Sequence, residues 1–106
     1  MHRITTALMG LLLSAAVLTA ADANAGKAAY DKACKSCHGA DGTPNSKIAS
    51  MMKVEMRHLG SKEVQALSDA EHKAIITEGK GKMKPVKSVS GAAADDVVAY
   101  IRTLKQ

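Results

Sequence analysis

Cys34 and Cys37 stand three residues apart and His38 follows directly, so the run Cys34-Lys35-Ser36-Cys37-His38 puts two thiols and an imidazole into five residues. Three chemistries use such a set. Thiols at this spacing exchange disulfides in thioredoxin-like proteins, but those carry the motif in a strand–helix–strand setting, and no strand-like alternation surrounds it here. Zinc takes thiolates and imidazoles, yet the later histidines, His58 and His72, do not stand at the short separations of zinc-finger histidines. The third is covalent attachment of a porphyrin. On one helical turn two thiols can add to the two vinyl groups along one edge of the macrocycle, and the next residue sets an imidazole beneath the iron. One pentapeptide then supplies two covalent bonds and one axial ligand, and this is the chemistry that the spacing favours.

The other face of such an iron decides whether it carries electrons or binds small molecules, because a six-coordinate iron has no vacancy. Beyond residue 25 the methionines are Met51, Met52, Met56 and Met83. A methionine in a small helical protein is ordinarily core filler. Met83 differs: it sits in Gly79-Lys80-Gly81-Lys82-Met83-Lys84-Pro85, a charged, glycine-containing loop where an apolar side chain has no helix face to join. Met83 is therefore the expected second ligand. Met51, Met52 and Met56 are expected to face the haem or the core, His72 to be half-buried, and both His58 and His72 to be bystanders.

The elements that must position these groups read as helices, with apolar residues at helical rather than alternating spacing. Lys27 to Cys37 forms a first helix with Tyr30, Ala33, Cys34 and Cys37 on one face, and Gly39 to Asn45 a loop. Ile48 to Val54 makes a short helix, Leu59 to Lys62 a loop, and Glu63 to Leu67 a turn of helix. Ser68 caps a helix from Asp69 to Glu78, with Glu71 at the capping-box position and Gly79 as its stop. A last helix starts near Ala92 and keeps Val97, Ile101 and Leu104 on one face, with Asp95 and Asp96 at its positive end.

Two aromatics, Tyr30 and Tyr100, in 106 residues are little from which to build a core, so something other than the chain is expected to complete it. With 46% hydrophobic content, eight aperiodic glycines and only two cysteines, the chain is not collagen-like, coiled-coil or a disulfide scaffold. Its beginning reads as an export signal. His2 and Arg3 precede an uncharged run from Ile4 to Ala21, and the small-residue site Ala23-Asn24-Ala25 follows. Residues 1–25 are thus expected to be removed and 26–106 to form one domain; Ala21-Asp22-Ala23 offers a second cut, and an uncleaved membrane anchor is the competing reading. The expected location is the periplasm.

Gly26-Lys27-Ala28-Ala29-Tyr30, Cys34 to His38 and Gly39-Ala40-Asp41-Gly42 together resemble the opening of a class I cytochrome c. Gly79 to Pro85 resembles that family's second-ligand loop, and Asp95 to Leu104 its C-terminal helix. The sequence departs from the family where Lys84 separates Met83 from Pro85 and where Val86 stands in place of a common aromatic. The resemblance implies an all-α, cytochrome c-like fold of three to five short helices around one covalent haem c. It implies a close crossing of first and last helices at Gly26, Tyr30, Val97 and Tyr100, and single-electron transfer without catalysis. The alternatives are a gas-binding or peroxidase-active haem protein with a labile sixth ligand, and a haem subunit of a larger redox enzyme. The formal net charge is +5. Lys80, Lys82, Lys84 and Lys87 cluster around Met83, and Lys35 lies between the cysteines, so a monomer docking an acidic redox partner at the haem edge is expected. Nucleic acid is not, since interleaved aromatics are lacking.

Overall fold

Asp22 opens the first element of the structure, a computed structural model that describes residues 20–106. Its carboxylate accepts hydrogen bonds from the backbone N–H groups of Asn24 and Ala25, and helix α1 runs Ala23–Ala33. The helix therefore starts four residues earlier than its apolar pattern predicts, because a cap rather than an apolar residue sets its beginning. Cys34 bends the chain and a single turn, α2, follows at Lys35–His38. The remaining helices are α3 (Ser46–Met52), α4 (Lys62–Gln65), α5 (Asp69–Glu78) and α6 (Ala92–Thr103). The expected three to five helices become six among the described residues, since the first is divided at Cys34 and α4 is one short turn. Most of the expected leader lies outside the described residues.

Capping chemistry accounts for several boundaries. Ser68 and Glu71 form the reciprocal capping box of α5, and Gly79 ends it. Helix α3 stops at Met52 because Lys53 adopts a left-handed conformation, φ 53° and ψ 47°. That position has neither glycine nor asparagine, so the expected helix from Ile48 to Val54 is displaced. No strand forms among the described residues; Lys80 and Met83 make an isolated antiparallel bridge.

The first and last helices make the most extensive contact in the fold. Tyr30, Val97 and Ala94 are wholly buried there, joined by Val98, Tyr100, Ile101, Ile76, Val89 and Cys34. The rings of Tyr30 and Tyr100 meet edge to face at 5.0 Å between centroids. Gly26 lets the two backbones touch. A Cβ at Gly26 would lie 1.9 Å from the Asp96 carbonyl oxygen, and that oxygen belongs to a helix and cannot rotate away. Alanine is the better helix former by about 1 kcal/mol. The collision decides the sign, so Gly26→Ala is expected to destabilise the protein by about 3 kcal/mol, the upper end of overpacking costs. A chemical denaturation curve with an unshifted midpoint would contradict this.

The far side of α6 anchors the middle of the chain. The Arg102 guanidinium donates to the carbonyl oxygens of Gln65 and Leu67, each at 2.6 Å, and to Asp69 Oδ1 at 2.8 Å. Gln65 Nε2 donates to the carbonyls of Leu59 and Ile101. Residues 59–69 are thereby held against the C-terminal helix by polar contacts, beside Leu59 packed on the core.

Candidate functional site

Three positions of the motif are delivered by the bend between α1 and α2. Cys34 N–H donates to the Tyr30 carbonyl at 2.8 Å and His38 N–H to the Cys34 carbonyl at 3.0 Å, so the two thiols and the imidazole stay within about one turn. The Tyr30 hydroxyl, drawn from the core, donates to the Gly39 carbonyl at 2.6 Å, and the Tyr100 hydroxyl donates to that of Ala40 at 3.2 Å. Asn45 holds the other side through bonds to the carbonyls of Ser36 and Cys37. The backbone immediately after His38 is therefore fixed by both tyrosines of the chain.

Met83 arrives from the opposite end of the sequence. Lys80 and Met83 exchange backbone hydrogen bonds of 2.9 and 3.0 Å, closing a tight turn, and Val86 N–H returns to the Ile76 carbonyl at 2.8 Å. Gly79 has φ +81°, and a Cβ there would come within 2.6 Å of the Met83 carbonyl oxygen. The loop thus leaves α5 at its end and is tied back to α5 beyond Met83. Lys82 closes the arrangement across the mouth, its ammonium donating to the Met52 carbonyl at 2.6 Å.

Between these two supports lies a cleft of about 590 Å³ lined by Cys34, Cys37, His38 and Met83. Its volume falls within the ~300–1,000 Å³ of ligand and cofactor sites. The walls are largely apolar: Ala33, Ile48, Met52, Val54, Met56 and Val86. Of the three earlier methionines, Met52 and Met56 face the cleft as expected, whereas Met51 is 73% exposed and belongs to neither cleft nor core.

Electrostatics separate the chemistries open to these groups. Cys34 and Cys37 are not bonded to each other, and burial, with a smaller contribution from Cys37, pushes the Cys34 thiol up to about 11. Disulfide exchange needs the opposite shift, toward thiolate. Among the described residues no group of three His, Cys, Asp or Glu side chains is arranged to hold a metal ion by itself, so a zinc-type donor set is not assembled. Burial drives the His38 imidazole toward its neutral form, the form that offers a lone pair to a metal, and its Nδ1 is buried without a hydrogen-bond partner. Two thiols, a neutral imidazole and a thioether around an apolar cleft fit an iron porphyrin.

The family model described as "Cytochrome C oxidase, cbb3-type, subunit III" matches residues 21–101. The chain belongs to this family of c-type cytochromes. A solved structure described as "KustC0563 c-type cytochrome" is 30% identical, with a TM-score of 0.65, over 76% of this chain and 98% of that one. No curated protein matches the chain. As a c-type cytochrome it carries covalently bound haem, and its described residues have the helical fold of that family.

Met52 and Met56 were legible as haem-facing residues of the cytochrome, whereas their neighbours Val54, Glu55 and Arg57 in the same wall were not. Beyond the left-handed turn at Lys53 the consecutive residues Val54, Glu55 and Met56 border the cleft, an arrangement with no periodicity for a sequence to display. Arg57 also lines the cleft, and nothing in its neighbourhood marked it.

His58 and His72 stay outside the cleft. His58 Nδ1 accepts from Gly60 N–H at 2.8 Å. His72 is 5% exposed, more deeply buried than expected, and its Nε2 has no partner. Burial first, then the Arg102 guanidinium, lower its pKa against the opposing influence of the Val64 backbone, Asp69 and Glu71. A histidine harder to protonate when folded than when unfolded stabilises least in acid. The unfolded chain takes up the proton near pH ~6.5, so stability is lost as pH falls below that value. His72→Leu is expected to reduce this loss and to raise stability at neutral pH by about 1 kcal/mol, since it removes an unpaired buried nitrogen. Denaturation midpoints at about pH 7.5 and about pH 5 check it; an equal acid loss in both proteins would contradict it.

Proposed function

We propose that the protein is an exported monohaem electron carrier, with the porphyrin bonded to Cys34 and Cys37 and the iron held between His38 and Met83. What supports this reading is that Cys34, Cys37 and His38, from the α1–α2 bend, and Met83, from the loop after α5, all line one largely apolar cleft. The bound group supplies one-electron exchange between ferric and ferrous iron. The chain's own residues set its conditions. Met83, a thioether, suits Fe(II) and raises the potential, and the apolar walls favour the less charged reduced state. The Lys80–Met83 turn and the Lys82–Met52 bond hold the ligand in place.

Lys35, Lys80, Lys82, Lys84 and Lys87 are all exposed, four of them around the Met83 loop and one between the cysteines. They form a docking face for an acidic redox partner, and the electron-transfer rate to such a partner falls as salt rises. The protein acts as a periplasmic monomer that neither binds nucleic acid nor catalyses a reaction alone.

The test is a visible spectrum of the exported protein combined with voltammetry and exposure to carbon monoxide. A reversible one-electron wave, a ferric iron–methionine band and no rapid carbon monoxide binding are expected. Rapid binding by the unmodified ferrous protein would replace the carrier reading with a gas-binding or peroxidase-active one. The description of the matching family, an oxidase subunit, favours a second reading as a docked subunit of a larger redox enzyme. Co-purification of a stoichiometric partner would support that second reading.

A further inference from the structure

The Ala23–Asn24 and Ala25–Gly26 bonds, where the alanine-x-alanine sites of the leader would be cut, both lie inside α1. The residues such cuts would discard are part of the fold. The Asp22 carboxylate accepts from Asn24 N–H at 2.8 Å and from Ala25 N–H at 3.3 Å, while its carbonyl accepts the Gly26 N–H at 2.9 Å. Its own N–H donates to Asp96 Oδ1 at 2.8 Å, a contact with α6 that spans 74 positions of sequence. This last bond stands beside the Gly26 crossing, where the two helices are closest. Independently, the match to the cytochrome family begins at residue 21, so the family's domain includes Ala21 and Asp22.

We propose that export processing cuts this chain at one of the two bonds immediately before Asp22, Ala20–Ala21 or Ala21–Asp22, and that the mature protein keeps Asp22 as the cap of α1. The inference rests on the export reading above. For a cut at Ala21–Asp22, Thr19 and Ala21 stand at the third and first places where an export peptidase requires small residues; for a cut at Ala20–Ala21 those places hold Leu18 and Ala20, which makes Ala21–Asp22 the better of the two. The reaction is hydrolysis: water gives its hydroxyl to the carbonyl carbon and a proton to the amide nitrogen, leaving a carboxylate on the leader and an ammonium on the mature chain. Cutting at Ala21–Asp22 places that ammonium against the Asp96 carboxylate, and a hydrogen bond charged on one side becomes an ion pair. Cutting after Ala25 instead removes the cap, the first helical bond and the contact with Asp96 together.

N-terminal sequencing of the holoprotein recovered from the periplasm decides the matter. A first residue of Ala21 or Asp22 supports the proposal; any other processed start, Asn24 and Gly26 in particular, overturns it while leaving export intact. A chain that retains Met1 overturns the proposal and, with it, the reading of residues 1–25 as a removed leader, in favour of an uncleaved anchor. The variant Ala23→Gln with Ala25→Gln removes both alanine-x-alanine sites without touching Thr19, Ala20 or Ala21. Its processing is expected to be unchanged in yield and position, and a block of several-fold or more would overturn the proposal. Since cutting acts on the leader of the chain during export, the readout does not depend on how well the variant folds.

Discussion

Cys34→Ala combined with Cys37→Ala is expected to give a largely unfolded chain. The reason lies in what the core lacks. Among its fully buried side chains the largest are Tyr30, Val89 and Val97, and the other buried positions are mostly alanine, valine and isoleucine. Opposite them the cleft of about 590 Å³ is walled by apolar side chains that belong against an apolar group rather than water. Domains of this size seldom hold more than about 3–5 kcal/mol from their core alone and ordinarily need a metal, a disulfide or a cofactor. Whatever binds the folded state alone adds to its stability, and a covalent attachment cannot be lost by dilution. Removing both thiols removes the attachment, so most of the helical circular dichroism and the cooperative melt should vanish together. A double variant with a native helical spectrum and a sharp melt would show that the chain folds by itself.

Met83→Ala is the second large effect. The turn that presents residue 83 is made by backbone bonds between Lys80 and Met83 and by Gly79, so the loop survives truncation of the side chain while the thioether is lost. Without it the sixth position is open. Carbon monoxide should then bind rapidly to the reduced protein, and the potential should fall by roughly one to several tenths of a volt, out of the ~0.8 V that axial ligation spans. Met52→Leu and Met56→Leu alter the walls of the cleft at nearly constant volume and should leave the ligand band in place. Met51→Leu should be silent, because Met51 is 73% exposed and lies outside the cleft. Loss of the iron–methionine band in one of these three, with Met83→Ala unaffected, would overturn the assignment.

What could be read from the sequence follows from where the information is local. The capping box at Ser68 and Glu71, the stop at Gly79, the start of α6 at Ala92 and the convergence of Cys34, Cys37 and His38 are written in neighbouring residues. The isolation of Met83 in a glycine-containing loop was equally legible. The start of α1 was not, since the apolar pattern begins at Lys27 while the Asp22 side chain caps a helix that starts four residues earlier. The end of α3 was hidden because Lys53 takes a left-handed conformation that its residue type does not advertise. The loop and single helical turn between Leu59 and Leu67 were legible, but what anchors them was not: Arg102 and Gln65 bond to backbone carbonyls, and a carbonyl has no sequence signature.

The central claim is that Cys34 and Cys37 bind one haem covalently, and an intact mass spectrum of the exported protein under denaturing conditions tests it most directly. The account predicts a single species equal to the processed chain plus one haem, unchanged by acid extraction. A species at the mass of the bare chain, or lighter than it by the two hydrogens of a Cys34–Cys37 disulfide, would contradict it.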